Sequence, residues 1–305
     1  MIDWAAIALA SAACFGMISV VDKILLTKYI PSAITYSFLL GLFQTCFGVV
    51  TLLLVVVSGT WDDGAPLFAG FLAGVLWGVG VIILFYVLQR EEVSRAIPVH
   101  QTSPVFTAVL AVIFLGERLT SLHWMAILIT VTGAVLISIS RHGVYQRFVI
   151  RRSFLFLLLG SAITAGAFVL SKVALEDMSV WQTFSLRAFG MGAAFLGVSI
   201  PFRRRVINEL PIFLRNRSGV SLFLTMELFL APGTILLTLW AVSLGDVSLV
   251  SALAATRPMF VFVYSLILSA GFWGVLEEPL TRETLTLKVV AIAMIVAGTG
   301  AISLL

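Results

Sequence analysis

The sequence predicts an all-α membrane protein of ten transmembrane helices arranged as two inverted five-helix repeats. Three observations predict it: ten apolar stretches near the ~20 residues that a bilayer span needs, a self-similarity at an offset of 154 residues, and loop charges of opposite pattern in the two halves.

The stretches cover about 4–22, 33–57, 66–88, 94–115, 121–139, 153–171, 180–200, 219–243, 247–270 and 285–304. Of 305 residues 60% are hydrophobic and 11% charged, with a mean hydropathy of +1.11, more apolar surface than a water-soluble core of this size can hide. The bilayer is therefore the solvent. Span one follows Met1-Ile2-Asp3-Trp4 without a basic n-region or a small-residue cleavage signal, and is expected to be retained. Span three carries Gly70, Gly74 and Gly78 at four-residue spacing, a smooth face for close helix packing, with Gly80 nearby. Pro98, Pro104, Pro232 and Pro258 fall inside spans four, eight and nine, where each removes a backbone hydrogen bond and permits a kink. The connections 140–152 and 201–218 are too short for a soluble domain, so the chain divides into a first repeat, 1–141, a basic connecting loop, 142–152, and a second repeat, 153–305.

The repeat is readable without gaps across spans four and nine. Glu92-Val93-Ser94 aligns with Asp246-Val247-Ser248, and Thr102-Ser103-Pro104-Val105-Phe106 with Thr256-Arg257-Pro258-Met259-Phe260. With small insertions, "GERLTS" after span four matches "LEEPLT" after span nine, and "VTGAVLIS" in span five matches "VAGTGAIS" in span ten. An odd number of spans per half requires the second half to enter the membrane inverted. Loop charge agrees: "SGTWDDGAP" has no basic residue, whereas its partner "PFRRRVINELPIFLRNRSG" has five arginines. Fifteen of nineteen Lys and Arg fall in the loops after odd-numbered spans and two, Arg118 and Lys172, on the other side. Basic residues in short loops favour the cytoplasm, which puts both termini outside a plasma membrane of the bacterial inner type.

Several classes of function are excluded. Three histidines and two cysteines, Cys14 and Cys46, both in apolar stretches, leave no material for a disulfide framework or a Cys/His zinc site, so no metal, redox chemistry or cofactor is expected. No Walker-type loop, H-E-x-x-H or G-x-S-x-G occurs, so neither ATP-driven chemistry nor an enzyme is expected. The net charge of +4 serves topology rather than nucleic acid.

The Gly-containing first span ending in lysine, "CFGMISVVDK", and the segment "TSPVFTAVLAVIFLGERLTSLHWMAILITVTGAVLIS" resemble the EamA family of the drug/metabolite transporter superfamily over essentially the full chain. The turn Gly116 to Thr120 is the most specific piece; the second copy departs from it at Glu277-Glu278-Pro279-Leu280-Thr281. The resemblance implies a basket-like bundle with a central cavity lined by spans one, three, four, six, eight and nine, and export or exchange of amino acids, metabolites, nucleotide sugars or other small organic solutes. It also implies cytoplasmic termini; the charge count opposes this.

Ionisable groups near mid-membrane cost at least about 2.5 kcal/mol each and so face a cavity or one another. Arg187 in span seven, Glu227 in span eight and Arg257 in span nine lie roughly 10–15 Å from their nearer ends at 1.5 Å per residue. Arg257 precedes Pro258 and occupies the repeat position of Ser103, which makes it the leading candidate for a ligand contact, a guanidinium fork for carboxylate or phosphate. The alternative for Arg187 and Arg257 is a structural ion pair with Glu227, and Glu227 is also a candidate proton carrier. His100 and Gln101 form a polar strip on span four, and Trp77 lies far from both ends of span three. The expected function is secondary transport of a small zwitterion or organic anion, with membrane lipids as surroundings and proton or counter-solute coupling open. The alternative is a lipid-linked flippase or a non-transporting scaffold. Oligomeric state is not readable.

Overall fold

The computed structural model describes residues 4–61, 66–88, 99–138, 152–269 and 282–304. Pro98, most of the basic connecting loop and the second copy of the acidic turn at 277–281 lie outside the described residues. Every regular element among the described residues is a helix.

In chain order these are α1 (Trp4–Ile24), continued by a π-helical turn (Leu25–Tyr29), α2 (Ala33–Val57), α3 (Leu67–Leu88), α4 (Ser103–Phe114), α5 (Ser121–Ser138), α6 (Arg152–Asp177) and α7 (Val180–Ser199). A 3₁₀ turn leads to α8 (Arg203–Arg215), then α9 (Arg217–Thr225), a second π-helical turn (Met226–Leu230), α10 (Ala231–Leu244), α11 (Val247–Ala254), α12 (Arg257–Ser269) and α13 (Arg282–Leu304). Among the described residues eight helical stretches are long and apolar enough to cross a membrane, and two shorter apolar helices, Ser103–Phe114 and Ser121–Ile137, fall where spans four and five are expected.

Three elements differ from the sequence expectation. The segment 201–218, read as a loop, holds the amphipathic helix α8, which buries Val206 and Phe213 and leaves its arginines exposed. Span one runs on through its π turn, where the Ile30 N–H reaches back to the Leu25 carbonyl at 2.8 Å, so Asp22 lies within the helix rather than at its end. Lys288, counted as a loop cation, is buried within α13, its ammonium 4.3 Å from the centre of the Phe262 ring.

Helix contacts are made through small residues. A Cβ on Gly74 would stand 2.0 Å from the carbonyl oxygen of Arg187, and one on Gly190 2.0 Å from that of Phe71, so α3 and α7 meet backbone to backbone. Gly70 and Gly78 face the same helix, against Leu186 and Ala194. Across α5 and α13 the contact is reciprocal. Gly133 packs on Ala291 and Ile295, and Gly298 packs on Ala126 and Thr130. In the alignment of "VTGAVLIS" with "VAGTGAIS", these are the same three positions in each copy.

Candidate functional site

Proline at the second helical position fits α4 and α12, because its missing N–H is one that a helix start leaves unpaired anyway. Both helices begin one residue before a proline, Pro104 or Pro258, directly after a two-residue turn that interrupts the preceding helical residues. The two breaks carry matching hydrogen bonds. Thr102 N–H donates to the Val99 carbonyl at 3.2 Å and its hydroxyl to the same oxygen at 2.6 Å; Thr256 does so to Leu253 at 3.0 and 2.7 Å. Val105 N–H then bonds Thr102, as Met259 N–H bonds Thr256. Each donor and acceptor is displaced by the same 154 residues as in the sequence repeat.

At the second break, Arg257 starts α12 and turns toward α1. Its Nε donates to the Ser19 hydroxyl oxygen at 2.7 Å, and the hydroxyl passes its own hydrogen to the Phe15 carbonyl, also at 2.7 Å. The guanidinium carbon lies 5.2 Å from the centre of the Phe15 ring. Gly16 makes this approach possible, since a Cβ there would stand 2.9 Å from Phe260 Cβ on α12. At the first break His100 and Gln101 are half-buried, and the Ser161 hydroxyl of α6 lies 3.1 Å from the Val99 carbonyl.

Phe15 links Arg257 to the second arginine. Its ring is 6.1 Å from that of Trp77 on α3, which also meets Phe168 edge-on at 5.4 Å. The Arg187 guanidinium sits over Trp77 at 4.6 Å. Arg187 is 1% exposed, and its Nε and Nη1 are buried without a hydrogen-bond partner among the described residues. The result is a continuous line, Arg257–Phe15–Trp77–Arg187, of two cations stacked on the outer rings of an aromatic pair.

One acidic residue, Asp22, is coupled to the first cation, and Glu227 to Asp22. Asp22 accepts a 2.5 Å hydrogen bond from the Tyr36 hydroxyl and is in electrostatic contact with both Arg257 and Glu227. Glu227 is 3% exposed, with Oε2 buried and unpartnered. It sits in the π turn before Pro232, where Ala231 N–H reaches back five residues to Met226. Among the described residues neither Arg187 nor Arg257 pairs with Glu227 within salt-bridge distance; the pair Arg205–Glu209, at 2.8 Å, is outside this cluster.

Asp22 and His100 thus each interact electrostatically with Arg257, and Glu227 with Asp22, while Arg187 with Trp77 forms the other end. Sequence reasoning missed Asp22, Ser19, Phe15 and Tyr36. The signal for Asp22 was the helix-compatible run through Tyr29; Ser19 and Phe15 look like ordinary packing residues.

Comparison with known proteins adds four findings. The model of the EamA-like transporter family matches residues 3–139. The probable 4-amino-4-deoxy-L-arabinose-phosphoundecaprenol flippase subunit ArnE of Pseudomonas fluorescens is 30% identical over 105 residues, 32% of this chain and 90% of that protein. An uncharacterised protein of Methanocaldococcus jannaschii is 32% identical over 69 residues, 23% of this chain, and the chain spans half the length of that relative. A solved crystal structure shares the fold with a TM-score of 0.71 at 18% identity, over 98% of this chain and 95% of the other.

Proposed function

From the chain's membership of the EamA-like transporter family, we propose that it carries a small organic solute with a carboxylate or phosphate group across the bilayer by alternating access around the Arg257–Phe15–Trp77–Arg187 line. The observation that carries this reading is Arg187, buried to 1% exposure with Nε and Nη1 unpartnered. A buried cation of this kind is costly unless polar partners complete it, and the oxygens of an anionic group supply acceptors for such donors. Arg257 offers the second cation, and the aromatic pair between them accepts the apolar part of the solute. An amino acid or organic anion meets these requirements.

Alternating access needs two halves that exchange roles. The matching breaks at Thr102 and Thr256 and the reciprocal Gly133 and Gly298 contacts support ten spans in two inverted repeats. The site lies where interrupted helices from the two halves approach. Glu227, with an unpartnered buried oxygen beside Asp22, is the group for proton coupling. Loop charge supports a plasma-membrane orientation with the termini outside the cytoplasm.

Flux into liposomes holding the purified protein, over a panel of amino acids, organic anions and phosphorylated sugars, tests the reading. Zwitterions or anions move, and Arg257→Ala abolishes the flux while the protein stays folded. Normal flux in that variant removes Arg257 from the site; no flux for any solute favours a scaffold.

Movement of a lipid-linked solute is the second reading, and one observation favours it. A shallow, open depression of about 350 Å³ on the face of α9 and the π turn is lined by Arg217, Leu224, Leu228 and Phe229 among others. An acyl chain fits such a surface, and ArnE is described as a flippase subunit. Scrambling of a labelled lipid-linked sugar, without flux of the free solutes, distinguishes it.

A further inference from the structure

We infer that Glu117, in the Gly-Glu-Arg-Leu-Thr turn, is a positioning residue that holds the broken helix carrying Arg257 in place. The turn owes its shape to Gly116, whose φ of +67° is open to glycine and costly for other residues. The next residue then aims its carboxylate at the start of α11, 130 residues farther along the chain. Glu117 Oε1 accepts from Val247 N–H at 2.7 Å; Oε2 accepts from Ser248 N–H at 3.3 Å and from the Ser248 hydroxyl.

Three donors on one carboxylate at a helix N-terminus form a charge-assisted cap, favoured also by the positive end of the helix dipole. The local residue that ordinarily does this is present: Asp246 occupies the cap position, yet its side chain makes no capping bond. The cap is supplied across the chain instead. α11 is two turns long, about 12 Å, and buried from Val247 to Leu253, so it moves as a unit. At its far end Thr256 bonds Leu253, and Arg257 follows directly. A shift at Ser248 is therefore delivered to the guanidinium and its bond to Ser19. The acidic turn of one half thus sets the position of a site residue in the other.

The link to transport rests on the reading of Arg257 as a solute contact; the mechanical link does not. Hydrogen–deuterium exchange on the full chain in detergent tests the latter. Glu117→Ala is expected to raise exchange at amides 247–250 and also at 256–259 by about tenfold or more, with α2 unchanged, and Ser248→Ala to act in the same direction with a smaller effect. A change confined to 247–248, or none, overturns the inference. If Glu117→Ala does not fold, Ser248→Ala decides by the same criterion. In liposomes, for a solute that wild type moves, Glu117→Ala is expected to raise KM about tenfold with the maximal rate within about threefold; an unchanged KM overturns the connection to Arg257. Absence of flux in wild type refutes the transport reading alone, and the exchange result still stands.

Discussion

The guanidinium carbon of Arg187 lies 4.6 Å from the centre of the Trp77 ring, and the helices that carry them touch backbone to backbone at Gly74, one turn from Trp77. The geometry follows from residue size. Only a glycine lets α3 approach the Arg187 carbonyl closely enough for the side chain to fold back over the indole. With no carboxylate within salt-bridge distance among the described residues, the ring face is the main compensation for a buried cation, worth ~2 kcal/mol when desolvated.

That value converts to roughly thirtyfold in an equilibrium constant. Trp77→Ala is therefore expected to reduce solute flux into liposomes by tenfold or more, and Trp77→Phe, which keeps a ring, to stay within about threefold of wild type. Equal losses in the two variants assign Trp77 to packing alone.

Ser19 gives a milder, graded test of the other end. Its hydroxyl accepts from Arg257 Nε at 2.7 Å, and one hydrogen bond to a charged group is worth ~1.5–3 kcal/mol. Ser19→Ala leaves the guanidinium over Phe15 but free to swing, so KM is expected to rise about tenfold with little change in maximal rate. Arg257→Lys keeps the charge and loses the fork, and its KM is expected to rise further. An Arg257→Lys variant with wild-type kinetics shows that charge without geometry is sufficient.

Much of this site was legible in the sequence because intramembrane charge and proline are conspicuous against an apolar background. Arg187, Glu227 and Arg257 stand out by cost, and the breaks at Thr102 and Thr256 by their prolines and their common spacing. The pairing of these charges was not legible. Glu227 looks like the natural partner of an arginine, yet the carboxylate that meets the Tyr36 hydroxyl and stands near Arg257 is Asp22. Its depth depends on the helix running on through the π turn to Tyr29, past the point where the apolar stretch of span one stops. The helix α8 was hidden for another reason: its arginines read as loop charge, and only the burial of Val206 and Phe213 reveals the apolar stripe. The cap by Glu117 spans 130 residues, and local rules point to Asp246 instead.

Backbone contact at Gly74 makes a sharp prediction about stability. Gly74→Ala puts a methyl 2.0 Å from a carbonyl oxygen, a clash that α3 and α7 relieve only by separating, whereas a Cβ on Gly197 meets nothing within 4 Å. Overpacking a tight contact costs ~1–3 kcal/mol, occasionally more. Gly74→Ala is expected to lower the melting temperature in detergent by several degrees and to weaken the Arg187–Trp77 contact; Gly197→Ala is expected to leave both unchanged. Equal melting temperatures for the two variants contradict the close crossing.

Orientation has its own test, because the family resemblance and the loop charges point in opposite directions. The segment from Arg203 to Arg217 holds five arginines, and transferring such a segment across the membrane opposes the bias that sets topology. α8 also presents the exposed apolar residues Ile207, Ile212 and Leu214 beside those arginines, the composition of a helix lying in the membrane interface. Ser218, exposed just beyond it, is a suitable position for an introduced cysteine. With Cys14 and Cys46 replaced by alanine, Ser218→Cys is expected to resist a membrane-impermeant maleimide on intact cells and to react once the cells are opened. Ready labelling from outside puts both termini in the cytoplasm and reverses the direction in which the Arg257 site is first exposed.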